Sequence, residues 1–171
     1  MGLHGQAAVG LASVFDRVIA TDASEKQIAN AQSHERVEYR IAPAENSGVG
    51  SELIDLIMVA QALHWFDLDR FYAEARRVLK PDGFGVVLVP LVSGVEETHE
   101  DPAIDTPALR WKHYGLDDHV RQYGKRDFVD RLTGAGFTVD QLGKDHFGRA
   151  AFKEAGITEK SVLYVVRHSA G

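Results

Sequence analysis

Val18-Ile-Ala-Thr-Asp22 is a short apolar run that ends on a single carboxylate. Immediately after it, Ser24-Glu-Lys-Gln27 has the form of a capping box, which starts a helix running to about Gln32. Val37 to Ile41 alternates apolar and polar residues and reads as a second strand. Leu53 to Ala60 is nearly continuous apolar sequence interrupted by Asp55, the pattern of a parallel strand buried on both faces. Strand, helix, strand and strand in this order predict an α/β chain with a mostly parallel sheet. In open sheets of that kind, a strand ending in a carboxylate beside a helix start is a common grip on the ribose of a nucleotide-like cofactor.

The rest of the chain extends the pattern. Ahead of the first strand, Ala8, Leu11, Ala12 and Phe15 fall at helical spacing, so Gln6 to Phe15 reads as a helix. Glu45 to Glu52 is a loop by composition. Leu68, Phe71, Tyr72, Ala75, Val78 and Leu79 keep one apolar stripe, and Pro81-Asp-Gly83 is expected to stop that helix. Phe84 to Pro90 is a further buried strand, and Leu91 to Asp105 reads as a long loop. Asp127 to Ala135 is a short amphipathic helix, followed by a strand from Gly136-Phe137 to near Leu142. Ser161 to Arg167 is the closing strand. With no repeat and no linker, the expected organisation is a single domain over residues 1–171.

Composition narrows the function classes. A chain of 171 residues, 44% hydrophobic and 26% charged, is long enough to bury a core. Its net charge of −6, without a Lys or Arg cluster, argues against a nucleic-acid groove or an anionic membrane as the main partner. The absence of cysteine excludes disulfides, thiolate metal sites and cysteine nucleophiles. No metal site is expected, and a cytoplasmic location is the default expectation.

Five stretches then line up with a known pattern: Gly5-Gln-Ala-Ala, Val18 to Asp22, Ala42-Pro-Ala-Glu45, Asp55 to Trp65, and Val78-Leu-Lys-Pro-Asp-Gly83. In their order and spacing they resemble the class I S-adenosylmethionine-dependent methyltransferases, and within those the small-molecule enzymes of the broad type 11 kind. The resemblance spans roughly Gly5 to Pro90. His99-Glu-Asp-Pro102 and Asp118 to Gly124 resemble the tail of bacterial methyltransferases of the same superfamily. The front and back halves match different subgroups, so no acceptor is implied. The resemblance implies a Rossmann-like, mostly parallel sheet with flanking helices and a C-terminal antiparallel strand. It also implies S-adenosylmethionine as cofactor and a small molecule as acceptor, with a homodimer as a candidate assembly.

Carried over by position, Asp22 accepts hydrogen bonds from the ribose hydroxyls, with Ala23 beside it. Ala44 and Glu45 cover the adenine, while Gly5 and Gln61 face the methionine end. His64 is the candidate to orient or deprotonate an acceptor, and Trp65 offers a π face to a cationic sulfonium. His119, Arg121 and Tyr123 alternate along an extended piece and are expected to face one way, bounding the acceptor. The bland alternatives are a strand-ending Asp22, a solvated Glu45, packing roles for His64 and Trp65, and an exposed edge for 119–123. Lys80-Pro-Asp-Gly83 is expected to be structural only.

In the resembled family a first, central strand precedes the glycine turn. Here Gly5 matches the last glycine of that turn and Leu3 stands where another is expected. The expectation is therefore an N-terminally truncated domain with its first central strand absent, a fragment of a longer protein before a strand lent by another chain; if it folds as given, the Asp22 strand is expected to pair directly with the Leu53 strand. Two other function classes compete. A non-catalytic remnant acting as a folded module is favoured by the damaged turn. A nicotinamide-dependent oxidoreductase also places an acidic residue at a strand end, but needs a complete G-x-G-x-x-G turn.

Overall fold

The computed structural model describes residues 6–60, 62–89, 91 and 95–169. The chain folds as two compact units, Met1–Gly50 and Ser51–Gly171.

The first unit contains α1 (Gln6–Ala12), β1 (Val18–Asp22), α2 (Glu25–Ala29) and β2 (Val37–Ile41). β1 and β2 are parallel and in register from Val18 opposite Val37 to Asp22 opposite Ile41. Helix α1 buries Ala8 and Ala12 against Val18, with Leu11, Phe15, Val37 and Tyr39 packed around them. Small residues on the inner face let the helix approach the strands closely. Ser24 caps α2, its hydroxyl accepting from Gln27 N at 3.4 Å.

The second unit contains β3 (Ile54–Ala60), α3 (Leu68–Val78), β4 (Leu79–Leu88), α4 (Pro107–Tyr114), α5 (Lys125–Gly134), β5 (Phe137–Leu142), α6 (Lys144–Glu154) and β6 (Leu163–His168). Its four-stranded sheet has the order β3-β4-β6-β5. β3 and β4 are parallel, whereas β6 runs antiparallel to both β4 and β5. Three strands thus point one way and β6 is reversed, the C-terminal antiparallel strand that the resemblance implies. Phe71 and Ala75 of α3 and Leu132 of α5 share one apolar interior with Val59, Val87 and Val166 of the sheet. Gly85 sits where this interior leaves no room, since a Cβ there would lie 2.7 Å from Val166 Cγ2.

Two expectations need correction. The Asp22 strand does not pair with the Leu53 strand: β1 belongs to a two-stranded sheet with β2, and β3 belongs to the four-stranded one. The expectation rested on the cost of unsatisfied backbone groups, on the order of 1–3 kcal/mol each when buried. β1 pairs over its whole length with β2, and β3 pairs with β4, so each strand has a bonded edge within its own sheet. Secondly, β4 begins at Leu79 rather than Phe84. Helix α3 stops at Val78, where Leu79 turns extended: Pro81 disfavours the helical region at Lys80 and has no N–H to continue the helix. Its register passes from Ile54 opposite Leu79 to Leu56 opposite Phe84, so Lys80-Pro-Asp-Gly83 forms a bulge rather than a separate turn. Lys80 Nζ meets Asp55 Oδ1 across that bulge at 2.6 Å.

Helices α4 and α6 lie in stretches that sequence periodicity leaves unassigned. Thr106 caps α4 through Leu109 N, with Pro107 opening the helix and left-handed Gly115 closing it. Helix α6 is broken at Gly148, whose φ of 78° is left-handed. The stretch read as a long loop is pinned in places, with Leu91 bridged to Tyr123 and His99 to Gln122.

Candidate functional site

In the first unit, Asp22 is the last residue of β1, at its carboxyl end. The side chain is exposed, and its Oδ1 accepts from Ser24 N at 2.7 Å, tying the strand end to the start of α2. That bond is the bland role foreseen for Asp22. It uses one of roughly four acceptor positions on an ionised carboxylate, so capacity for two hydroxyl donors remains. Ala42 N donates to the Asp22 carbonyl at 3.1 Å, which holds the Ala44-Glu45 loop at the same end of the parallel pair. Ala23 is exposed, while Ala44 and Glu45 are half-buried. The described residues that would hold the nucleoside end of S-adenosylmethionine therefore fit that group in chemistry and in strand polarity. Gly5 and Gln61 lie outside the described residues.

In the second unit, the chain leaves β3 through a short 3-10 turn, Leu63–Trp65. Leu63 is fully buried, which fixes the turn, and His64 is only 4% exposed. Asp67 caps α3 through Arg70 N, so the turn leads directly into the helix whose inner face carries Tyr72. Across from the turn, the His119 ring lies 4.5 Å from that of His64. The Leu91–Tyr123 bridge ties the 119–123 segment to the chain just beyond β4. Gly124 ends the segment. A Cβ there would lie 2.4 Å from backbone atoms of Glu96 and Glu97, so only glycine fits. Lys125 N and Asp127 N then donate to the Val95 and Glu96 carbonyls, anchoring the start of α5.

His119, Arg121 and Tyr123 all meet one cluster with His64 and Tyr72. Burial holds the His64 imidazole down at about 4, reinforced by the His119 and Arg121 charges and opposed by Asp118. Burial pushes the Tyr123 hydroxyl up to about 12 against the pull of Arg121. It pushes Tyr72 higher still, helped by Tyr123. Both phenols are therefore protonated donors, and the imidazole is neutral near pH 7. Within this cluster His64 Nδ1, Tyr72 OH, Arg121 Nε and Tyr123 OH are buried without a well-aligned hydrogen bond. Arg121 Nε lies 3.3 Å from Glu100 Oε2, but Glu100 is also held by Arg131 at 2.7 Å. Trp65 remains 51% exposed, its ring 5.1 Å from that of His64.

The structure thus brings together four residues from the two sequence segments, His64, His119, Arg121 and Tyr123, and leaves Trp65 beside them. Sequence reasoning missed Tyr72, Glu100 and Gly124. Tyr72 lies on the apolar stripe of α3 and reads as core, and its hydroxyl is the only sign that it is more. Among the described residues, no cluster of His, Asp and Glu is arranged to hold a metal ion. None of the described helices is long and apolar enough to cross a membrane.

A family model described as "Methyltransferase domain" matches residues 1–87, across the boundary between the two units. The chain belongs to this family of methyltransferase domains. A Dictyostelium discoideum protein that carries the name methyltransferase is 39% identical over 108 residues, covering 60% of this chain and 41% of its own length. A Mycolicibacterium smegmatis protein named as an S-adenosylmethionine-dependent methyltransferase is 30% identical over 84% of this chain and 52% of its own. The chain thus spans about half the length, or less, of these curated relatives. Among solved structures, Bacillus subtilis YcgJ superposes with a TM-score of 0.68 at 17% identity, covering 97% of this chain and 88% of that one. The 1,6-didemethyltoxoflavin-N1-methyltransferase of Burkholderia thailandensis, solved with 1,6-didemethyltoxoflavin and S-adenosylhomocysteine, gives 0.65 at 17%, covering 98% and 68%. At that identity the likeness shows the fold: α/β and Rossmann-like, with parallel and antiparallel strands and flanking helices.

Proposed function

We propose that this chain, over residues 1–171, works as one methyltransferase domain that transfers a methyl group from S-adenosylmethionine to a small organic acceptor. The observation that carries this reading is Asp22, an exposed carboxylate at the carboxyl end of a parallel strand, with the Ala44-Glu45 loop held beside it. Asp22 receives the two ribose hydroxyls as a charge-assisted acceptor. Ala23, Ala44 and Glu45 border the adenine, and Gly5 and Gln61 serve the amino-acid end. When bound, the cofactor supplies the electrophilic methyl group on its sulfonium, which is most of the chemical drive.

The protein's own contribution is positioning. His64, neutral and buried, fixes the acceptor through a ring nitrogen. Its depressed basicity suits it to take a proton only from an acidic acceptor group. His119, Arg121 and Tyr123 bound the acceptor on one side, and Trp65 offers it a flat apolar face.

Thermal unfolding with and without S-adenosylhomocysteine tests this reading. Ligand at about a hundred times its Kd stabilises the folded state by about 2.7 kcal/mol and raises Tm by several degrees. An unchanged Tm at saturating S-adenosylhomocysteine would remove the basis for the reading.

A further inference from the structure

We infer that the acceptor carries a carboxylate, and that the cluster of Arg121, Tyr72, Tyr123 and His64 is the subsite that receives it. This rests on the methyltransferase reading above and adds the chemical class of its substrate.

The cluster holds buried donors that the fold leaves incompletely matched. Tyr123 is fully buried, His64 is 4% exposed and Tyr72 is 5% exposed; His64 Nδ1 and Tyr72 OH lack a hydrogen-bond partner, and the Tyr123 hydroxyl meets only the Arg121 side chain, so its own proton is left to donate. Both phenols keep their protons, so each offers an O–H and neither adds negative charge. Arg121 supplies a fixed positive charge at 15% side-chain exposure. Its contact with Glu100 is 3.3 Å and poorly aligned, and the same carboxylate is held more closely by Arg131. Glu100 therefore gives Arg121 only half a partner. A second, bidentate carboxylate would complete it.

The count of charges selects among anions. Arg121 is the cation whose partner is incomplete, and the Asp118 charge faces His64, so the cluster accepts at most a single further negative charge. A phosphate dianion would call for a second cation, and Arg131 is already committed to Glu100 and Asp127. A planar carboxylate also matches the planar fork of arginine, which a lysine would not offer. An uncharged hydroxyl or amine acceptor would leave the Arg121 fork without a match. The half-exposed Trp65 ring beside His64 gives the remainder of the acceptor an apolar face to lie on.

The test uses the purified full chain and observes the imidazole Cε1–H resonances of His64 and His119 by NMR, the first located by its loss in His64→Gln. Acetate, benzoate and citrate are titrated against acetamide and benzamide, which keep the shape of the first two and lose the charge. The expected result is a saturable shift with at least one acid and none with the amides, weakened about tenfold or more in Arg121→Gln and less in Arg121→Lys. Shifts with no acid, or equal shifts with the amides, overturn the inference on the wild-type protein alone. An acid response unchanged by Arg121→Gln overturns the assigned subsite. S-adenosylhomocysteine is titrated on the same sample. Cofactor binding without an acid response sinks only the carboxylate; an acid response without cofactor binding sinks the transferase reading instead.

Discussion

Acidification should destabilise the second unit through His64. The ring is held neutral down to about pH 4 in the fold, against 6.5 as its ordinary value. Burial is the main cause. His119 and Arg121 add to it from the facing segment, and Asp118 works against it. The unfolded chain takes up this proton near its ordinary value, and the folded chain does so only near pH 4. Stability from keeping the ring neutral is therefore fully present above pH 6.5 and is lost as the pH falls towards 4. The full loss is about 3 kcal/mol, and about 2 kcal/mol of it is gone by about pH 5. The assay is urea unfolding followed by Trp65 and Trp111 fluorescence, both in this unit, at about pH 7 and about pH 5. His64→Gln, which cannot titrate, should lose about 2 kcal/mol less than wild type between the two conditions. Equal losses in the two proteins would refute the argument that His64 is buried neutral.

Two substitutions probe the frame that holds the cluster. Gly124→Ala would push a methyl group into the Glu96 and Glu97 backbone, 2.4 Å away, and should cost about 1–3 kcal/mol in urea unfolding while moving the His119 resonance. An alanine variant as stable as wild type would mean that the 95–98 and 119–124 segments do not pack as described. Phe128→Ala removes a fully buried ring that stands edge-on to Tyr123 at 5.3 Å and to Tyr164 at 5.0 Å. It should cost about 3–5 kcal/mol, measured the same way, and a loss under about 1 kcal/mol would contradict the packing.

The fold was legible where local chemistry and periodicity agree. Ser24 caps α2 as its capping box announces, although only the serine half of the box forms a bond to the helix. The stripe from Leu68 to Val78 is a helix with its apolar side buried. The misreadings have local causes. Pro81-Asp-Gly83 looks like a stop and is a bulge, because strand pairing with β3 resumes on both sides of it. Helix α4 carried the signals Thr106-Pro107 and Gly115, but its apolar residues Leu109 and Trp111 are exposed, so no buried stripe marks it. The pairing expected for Asp22's strand failed because β1 finds its partner in β2 and β3 finds its own in β4. The candidate site was legible as a set of residue types and illegible as a place. Nothing in the spacing of His64 and His119 shows that their rings meet, since that contact depends on the Leu91 to Tyr123 bridge. Tyr72 and Gly124 have roles that only three-dimensional neighbours reveal.

Calorimetric titration with S-adenosylhomocysteine decides whether this chain binds S-adenosylmethionine through Asp22. Binding near the micromolar range, about −8 kcal/mol, is expected, and it should disappear in Asp22→Ala while far-UV circular dichroism stays unchanged. Absence of heat from a folded wild-type chain, or equal binding by the Asp22→Ala variant, would contradict it.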